Sequence, residues 1–192
     1  MLIYKKNKKL YKICKLNHIP IIRKKTAKII NNIINKNKYN SLLEIGTAYG
    51  FSCNLWIQNK NLNRIVSIEK NTDNYLIAIN NVSHNNLKLI NGDAFEIQIN
   101  EKFDLIFLDG PKSNQEILFE KFLNLLNDNG TIVIDNLLLN KFKKLNINQL
   151  NKNQKKLLEK IEIFRKYLEN NKEINFNFLN IDDGIGIVTK RC

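Results

Sequence analysis

The stretch that most constrains this chain is residues 41–52, Ser-Leu-Leu-Glu-Ile-Gly-Thr-Ala-Tyr-Gly-Phe-Ser. It opens with a short apolar run (Leu42, Leu43, Ile45), the signature of a buried strand. The run breaks at Gly46 and Gly50, and residues 51–57 are apolar enough to pack as a helix. A strand that turns through glycines into a helix N-terminus makes a ligand pocket. The glycines let the backbone approach the ligand, and free N–H groups of the first helical turn point at it. The three-glycine dinucleotide fingerprint is absent, which disfavours a nicotinamide dinucleotide. About 20 residues on, residues 64–68 form a second strand-like run that ends at Glu69, where such a site places an acid for ribose hydroxyls.

The remaining chain alternates. A helix is expected at residues 72–81, capped by Asn71 or Thr72, a third strand at 87–90 and a fourth at 103–108. Ser113 or Asn114 should cap a helix reaching about residue 126. Residues 127–130 are expected to turn into a fifth strand at 131–134, and a long helix at 152–170 to precede a strand pair at 174–181 and 185–189. Such alternation predicts an α/β fold: a mostly parallel sheet with helices on both faces and one antiparallel strand from the terminal hairpin. Glu69, Asp93, Asp109 and Asp135 each fall at or just past a strand, so they should line one rim of the sheet, where ligands of such folds bind.

The 192 residues suit one domain, with a basic helical segment at 1–40 and a core at 41–192. No apolar run approaches a membrane span, and no apolar segment follows the lysine-rich start, so a cytosolic, membrane-free protein is expected. Cys14, Cys53 and Cys192 are scattered, which indicates neither a zinc site nor a disulfide framework. The formal charge of +13 favours a polyanionic partner such as nucleic acid. Codon bias is the competing explanation, since asparagine is abundant as well. Residues 1–18 interleave lysines with apolar side chains as a basic amphipathic helix would. A second helix is expected from about residue 24 to 35.

Asp109, Asp135 and Asn136 offer two carboxylates and an amide oxygen from neighbouring strand ends, a hard donor set suited to Mg²⁺. Glu-x-Gly-x-x-x-Gly-x-Ser, then Glu69, Gly-Asp-Ala, Phe-Asp-Leu-x-x-x-Asp-x-x-Lys and Asp-Asn together resemble the metal-dependent O-methyltransferases of the catechol and caffeoyl-CoA type. The resemblance implies a Rossmann-like class I methyltransferase with a seven-stranded sheet, S-adenosylmethionine as donor and Mg²⁺ or Mn²⁺ as metal. It implies that Asp109, Asp135 and Asn136 hold the metal and that Lys112 is the general base. Glu44, Gly46, Thr47, Tyr49, Gly50 and Ser52 would hold the methionine end of the donor. Glu69 would hold its ribose and Asp93 and Ala94 its adenine, with Asp109 at the junction.

A bacterial branch of this family methylates 5-hydroxyuridine at the tRNA wobble position, and the lysines favour that acceptor here. Arg23, Lys24 and Lys25, with Lys141, Lys143 and Lys144, would flank the pocket mouth and meet phosphates of an anticodon stem-loop. A small catechol or a hydroxycinnamoyl-CoA is the alternative acceptor, and a non-catalytic RNA-binding protein the alternative class. The resemblance also implies a homodimer.

Overall fold

The computed structural model describes residues 7–110, 114–138 and 150–191. Seven strands form one sheet: β1 (Ser41–Ile45), β2 (Arg64–Glu69), β3 (Leu87–Asn91), β4 (Phe103–Leu108), β5 (Leu126–Ile134), β6 (Ile174–Leu179) and β7 (Ile185–Lys190). Their order is β3-β2-β1-β4-β5-β7-β6. The pairs among β1 to β5 are parallel, and β7 alone runs antiparallel to both neighbours. The expected mostly parallel sheet with a terminal hairpin is what forms.

The central strands are apolar on both faces because both faces are covered. Leu43, Ile45, Val66, Ile68, Ile106, Leu108 and Ile134 point to one side. There they meet Phe119 and Phe122 of α5 (Gln115–Leu123) and Phe164 and Leu168 of α6 (Lys152–Asn170). Leu42, Ile65, Leu105, Phe107 and Val133 point to the other. Against them pack Leu10 and Cys14 of α1 (Lys8–Leu16), Ile30 and Ile34 of α2 (Lys24–Asn37), and Trp56 of α3 (Cys53–Trp56). α4 (Thr72–Asn81) follows β2 and is capped by Asn71, whose side chain accepts from Asn74 N at 2.8 Å. Burying one large aliphatic or aromatic side chain contributes about 1.5–3 kcal/mol, so these two clusters hold the helices to the sheet.

Four local expectations are corrected. The helix expected over 51–57 is only the four residues of α3. Just past it, the side chain of Asn59 is buried and donates to Asn31 and Asn35 of α2, which draws the chain off the helical path. Asn114 is left-handed at φ +68° and its side chain makes no cap bond, while Ser113 lies outside the described residues. The α5 helix stops at Leu123, short of residue 126, because Leu126 is wholly buried at the start of β5. Residues 127–130 are a bulged part of β5 rather than a separate turn. Asn127 donates to Asp104 Oδ1 at 2.6 Å, and Tyr39 donates to the Asn129 carbonyl at 2.6 Å, so this polar stretch is tied to the starts of the central strands β4 and β1.

Candidate active site

The strand ends form one row because the parallel ladder continues one residue past them. Gly46 N donates to Ile68 O, Gly92 N to Glu69 O, Asp109 N to Ile45 O and Asp135 N to Leu108 O, all at 2.9–3.1 Å. The shared register of the parallel strands therefore puts the glycine turn, Glu69, Asp109 and Asp135 on a single rim. A cleft of about 1170 Å³ opens over this rim. Its lining includes Gly46, Glu69, Asp93, Ala94, Asp109, Asp135 and Asn136, and at its mouth Arg23, Lys24 and Lys25.

The glycine turn is shaped by steric need. Gly46 sits at φ +102°, and a Cβ there would lie 2.8 Å from the Asp109 carbonyl oxygen. Only glycine allows β1 and β4 to close so tightly at the rim. Glu69 braces the turn: Ala48 N donates to its Oε2 at 2.7 Å and Asn71 N to its Oε1 at 2.8 Å. A carboxylate offers about four acceptor positions, so two remain toward the cleft. Thr47, Tyr49 and Ser52 line a small adjoining cavity of about 20 Å³, which shares Gly46, Ala48 and Asp109 with the main cleft.

Glu44 lies elsewhere. Period-2 alternation puts it on the Leu42 face of β1, under the turn, where it is fully buried. Its Oε1 accepts from Trp56 Nε1 at 2.9 Å, and its Oε2 from Ser67 Oγ at 2.7 Å and Cys53 Sγ at 3.1 Å. Burial pushes its carboxyl above the usual glutamate range, against the pull of the Trp56 and Ser67 donors. Ser67 also contacts Thr47, at 2.7 Å between the two hydroxyl oxygens. The buried acid thus orders the floor of the turn through two hydroxyls, and neither it nor Gly50 lines either cavity.

At the adjacent end of the cleft Asp93 is held in place. Lys70 Nζ donates to its Oδ2 at 2.6 Å and Phe95 N to its Oδ1 at 3.0 Å. The Lys70 ammonium holds the Asp93 carboxyl below its ordinary range. Behind this loop Lys121 of α5 donates to three carbonyls, Ala94 O, Phe95 O and Ile97 O, at 2.7–2.9 Å. No local pattern marks this role of Lys121, because its carbonyl partners lie 24 to 27 residues away.

Across the rim, Asn136 Nδ2 donates to Asp109 Oδ1 at 3.2 Å, and Asn136 N to Asp135 Oδ1 at 2.8 Å. Asn136 is left-handed at φ +68°, a conformation asparagine tolerates. Among the described residues no three His, Cys, Asp or Glu side chains gather as a metal-binding group. The Asp109, Asp135 and Asn136 set has two carboxylates and one amide converging on one cleft. That hard-oxygen chemistry fits Mg²⁺ with waters completing its shell.

The mouth is built from three segments. Leu137 N donates to Gly184 O and Leu138 N to Asp183 O, which joins the β6–β7 turn to the chain after Asn136. Asp182 Oδ2 accepts from Thr26 N at 3.2 Å and Thr26 Oγ1 at 3.1 Å, a tertiary cap on α2. Arg23 forms an ion pair with Asp183, so its guanidinium serves the wall as well as the rim. Lys112, Lys141, Lys143 and Lys144 lie outside the described residues. Tyr11, Lys15 and Asp182 also line the cleft and were not among the expected site residues.

A β3-β2-β1-β4-β5-β7-β6 sheet with a glycine turn and an acidic rim defines a Rossmann-like methyltransferase fold. A family model described as O-methyltransferase matches residues 5–191, and the chain belongs to that family. A candidate caffeoyl-CoA O-methyltransferase from Staphylococcus aureus is similar at 28% identity and a TM-score of 0.87, over 95% of this chain and 90% of that one. An O-methyltransferase from Bacillus cereus in complex with SAH shares the fold at 20% identity and a TM-score of 0.77, over 96% and 90% of the two chains. So does an SAH-bound methyltransferase from Podospora anserina, at 20% identity and 0.77, over 90% and 80%. Among the described residues no helix is long and apolar enough to cross a membrane.

Proposed function

We propose that this protein transfers the methyl group of S-adenosylmethionine to the 5-hydroxyl of 5-hydroxyuridine at the tRNA wobble position, giving 5-methoxyuridine, with a divalent cation. One observation carries the reading. A single cleft joins the glycine turn and Glu69 at one end to Asp109, Asp135 and Asn136 at the other, beneath a mouth bearing Arg23, Lys24 and Lys25. Its volume of about 1170 Å³ is above the roughly 300–1,000 Å³ of a single small-ligand site, which supports a site shared by donor and acceptor.

The donor supplies an electrophilic methyl group on a sulfonium centre. Gly46 and the N–H groups of the turn face its amino-acid end, with Thr47, Tyr49 and Ser52 beside them. The unused lone pairs of Glu69 receive the ribose hydroxyls, and the Asp93–Ala94 loop borders the adenine. Mg²⁺ or Mn²⁺, held by Asp109, Asp135 and the Asn136 amide oxygen, would supply a Lewis acid that lowers the pKa of an acceptor hydroxyl with a vicinal oxygen. Lys112, three residues past Asp109 in sequence, is the proposed base that removes the hydroxyl proton. Alignment of acceptor oxygen and methyl group is then the enzyme's main contribution.

The second reading is a small-molecule catechol or hydroxycinnamoyl-CoA acceptor, favoured by the description of the Staphylococcus aureus relative as a candidate caffeoyl-CoA O-methyltransferase. A labelled donor, Mg²⁺, and either hydroxyuridine-bearing tRNA or a simple catechol decide between them. Label in the tRNA supports the proposal, and label in the catechol alone overturns it. Label in neither, with tight tRNA binding, points to a non-catalytic RNA-binding protein.

A further inference from the structure

The charge of this chain is segregated. Of 31 basic residues twelve precede Glu44, and of 18 acidic residues none does, leaving 19 basic against 18 acidic in the remainder. The first 43 residues thus carry +12 of the +13. A codon bias that enriches lysine would do so along the whole chain and would not separate the signs.

The fold turns that segregation into a surface. On α1, Lys8, Lys12 and Lys15 are exposed and follow i, i+4, i+7 spacing, which aligns them in one stripe with about 5 Å between successive cations along the axis. Leu10 and Cys14 point the opposite way, into the core. Among the described residues these three lysines form no ion pair. The stripe ends at the cleft: Lys15 Nζ stands 5.8 Å from the Tyr11 ring centroid, and both side chains line the mouth with exposed Lys25.

We propose that the exposed stripe of α1 is a phosphate track for structured RNA, which seats the stem flanking the target nucleotide while Tyr11 offers a stacking face at the cleft entrance. The proposal rests on the RNA reading above and extends it to a surface outside the reaction centre. An anionic membrane fits less well. An interfacial helix keeps its apolar face free for the bilayer, whereas α1 has committed Leu10 and Cys14 to the core and leaves only Leu16 as a fully exposed large aliphatic.

The test uses the full chain and a fluorescent anticodon stem-loop, with anisotropy read over a range of salt. In Lys8→Gln/Lys12→Gln the slope of log affinity against log salt should fall by roughly 1.4–1.8, at about 0.7–0.9 per lost phosphate contact. Affinity at low salt should fall about tenfold or more, while SAH affinity by calorimetry stays unchanged. Lys155→Gln/Lys156→Gln on α6 makes the same charge change on an exposed face away from the cleft and should leave the slope as it is. An unchanged slope in the α1 variant, or an equal loss in the α6 variant, overturns the track even though the wild type binds RNA. A wild type that does not bind the stem-loop overturns the acceptor reading with it. Sedimentation of the wild type with phosphatidylserine vesicles, without stem-loop binding, would assign the stripe to a membrane instead.

Discussion

The side-chain amide of Asn136 reaches Oδ1 of Asp109 at 3.2 Å, across the ends of β5 and β4. The Asn136 backbone N–H donates to Asp135 Oδ1 at 2.8 Å, so one asparagine contacts both rim carboxylates. Asp135→Ala and Asn136→Ala should each lower divalent-metal-dependent methyl transfer by roughly a hundredfold or more, about 2.7 kcal/mol of barrier. RNA binding should persist in both. Single-turnover rates with and without a chelator check this, and full activity in either variant would remove the residue from the proposed metal set.

Gly46 and Gly50 both have positive φ, at +102° and +82°, yet their surroundings differ. A Cβ on Gly46 would meet the Asp109 backbone carbonyl at 2.8 Å, whereas one on Gly50 would meet Val82 Cγ1 at 2.9 Å. A side chain can rotate aside and a strand-end carbonyl cannot. Both alanine variants carry the left-handed strain of about 1–3 kcal/mol, and Gly46→Ala should be the worse by denaturant midpoint. It should also weaken donor binding, because relieving the clash separates the two strand ends that form the rim.

Lys121 offers a prediction that does not touch the cleft. Its ammonium satisfies three carbonyls of the loop that follows Asp93. Lys121→Met leaves them without a partner, at a cost of about 1–3 kcal/mol for part-buried acceptors. The loop borders the proposed adenine site, so the KM for the donor should rise several-fold while kcat changes little. Lys121→Arg, which restores donors, should recover much of the loss. Equal falls in both constants would mean that the lysine does more than position the loop.

The sheet was legible because buried parallel strands read as apolar runs and because acids stand at or just past the strand ends. What was hidden depends on contacts between distant segments. Residues 127–130 look like a turn until Asp104 and Tyr39, at the starts of central strands, hold them in place. Glu44 looks like a ligand-facing acid because it precedes the glycines, but strand alternation turns it toward α3. Tyr11 and Lys15 reach the cleft only once α1 packs on the sheet. The charge segregation that marks them was open to view in the sequence, though the surface it forms was not.

Glu44 yields a pH dependence whose sign follows from burial. Its carboxyl is raised above the unfolded value of about 4.3, so the folded state favours the neutral acid. The stability this contributes is complete below the unfolded pKa and is lost as pH rises through the folded one. Glu44→Gln cannot ionise and should lack that decline, so the stability gap between wild type and variant should narrow from about pH 4 upward. Urea unfolding at a series of pH values measures it, and parallel curves would show that Glu44 does not titrate there. The chain has one tryptophan, and its indole N–H donates to Glu44 at 2.9 Å. Ionisation of the acid should therefore shift native-state emission of Trp56 over the same pH window, and the variant should show no such shift.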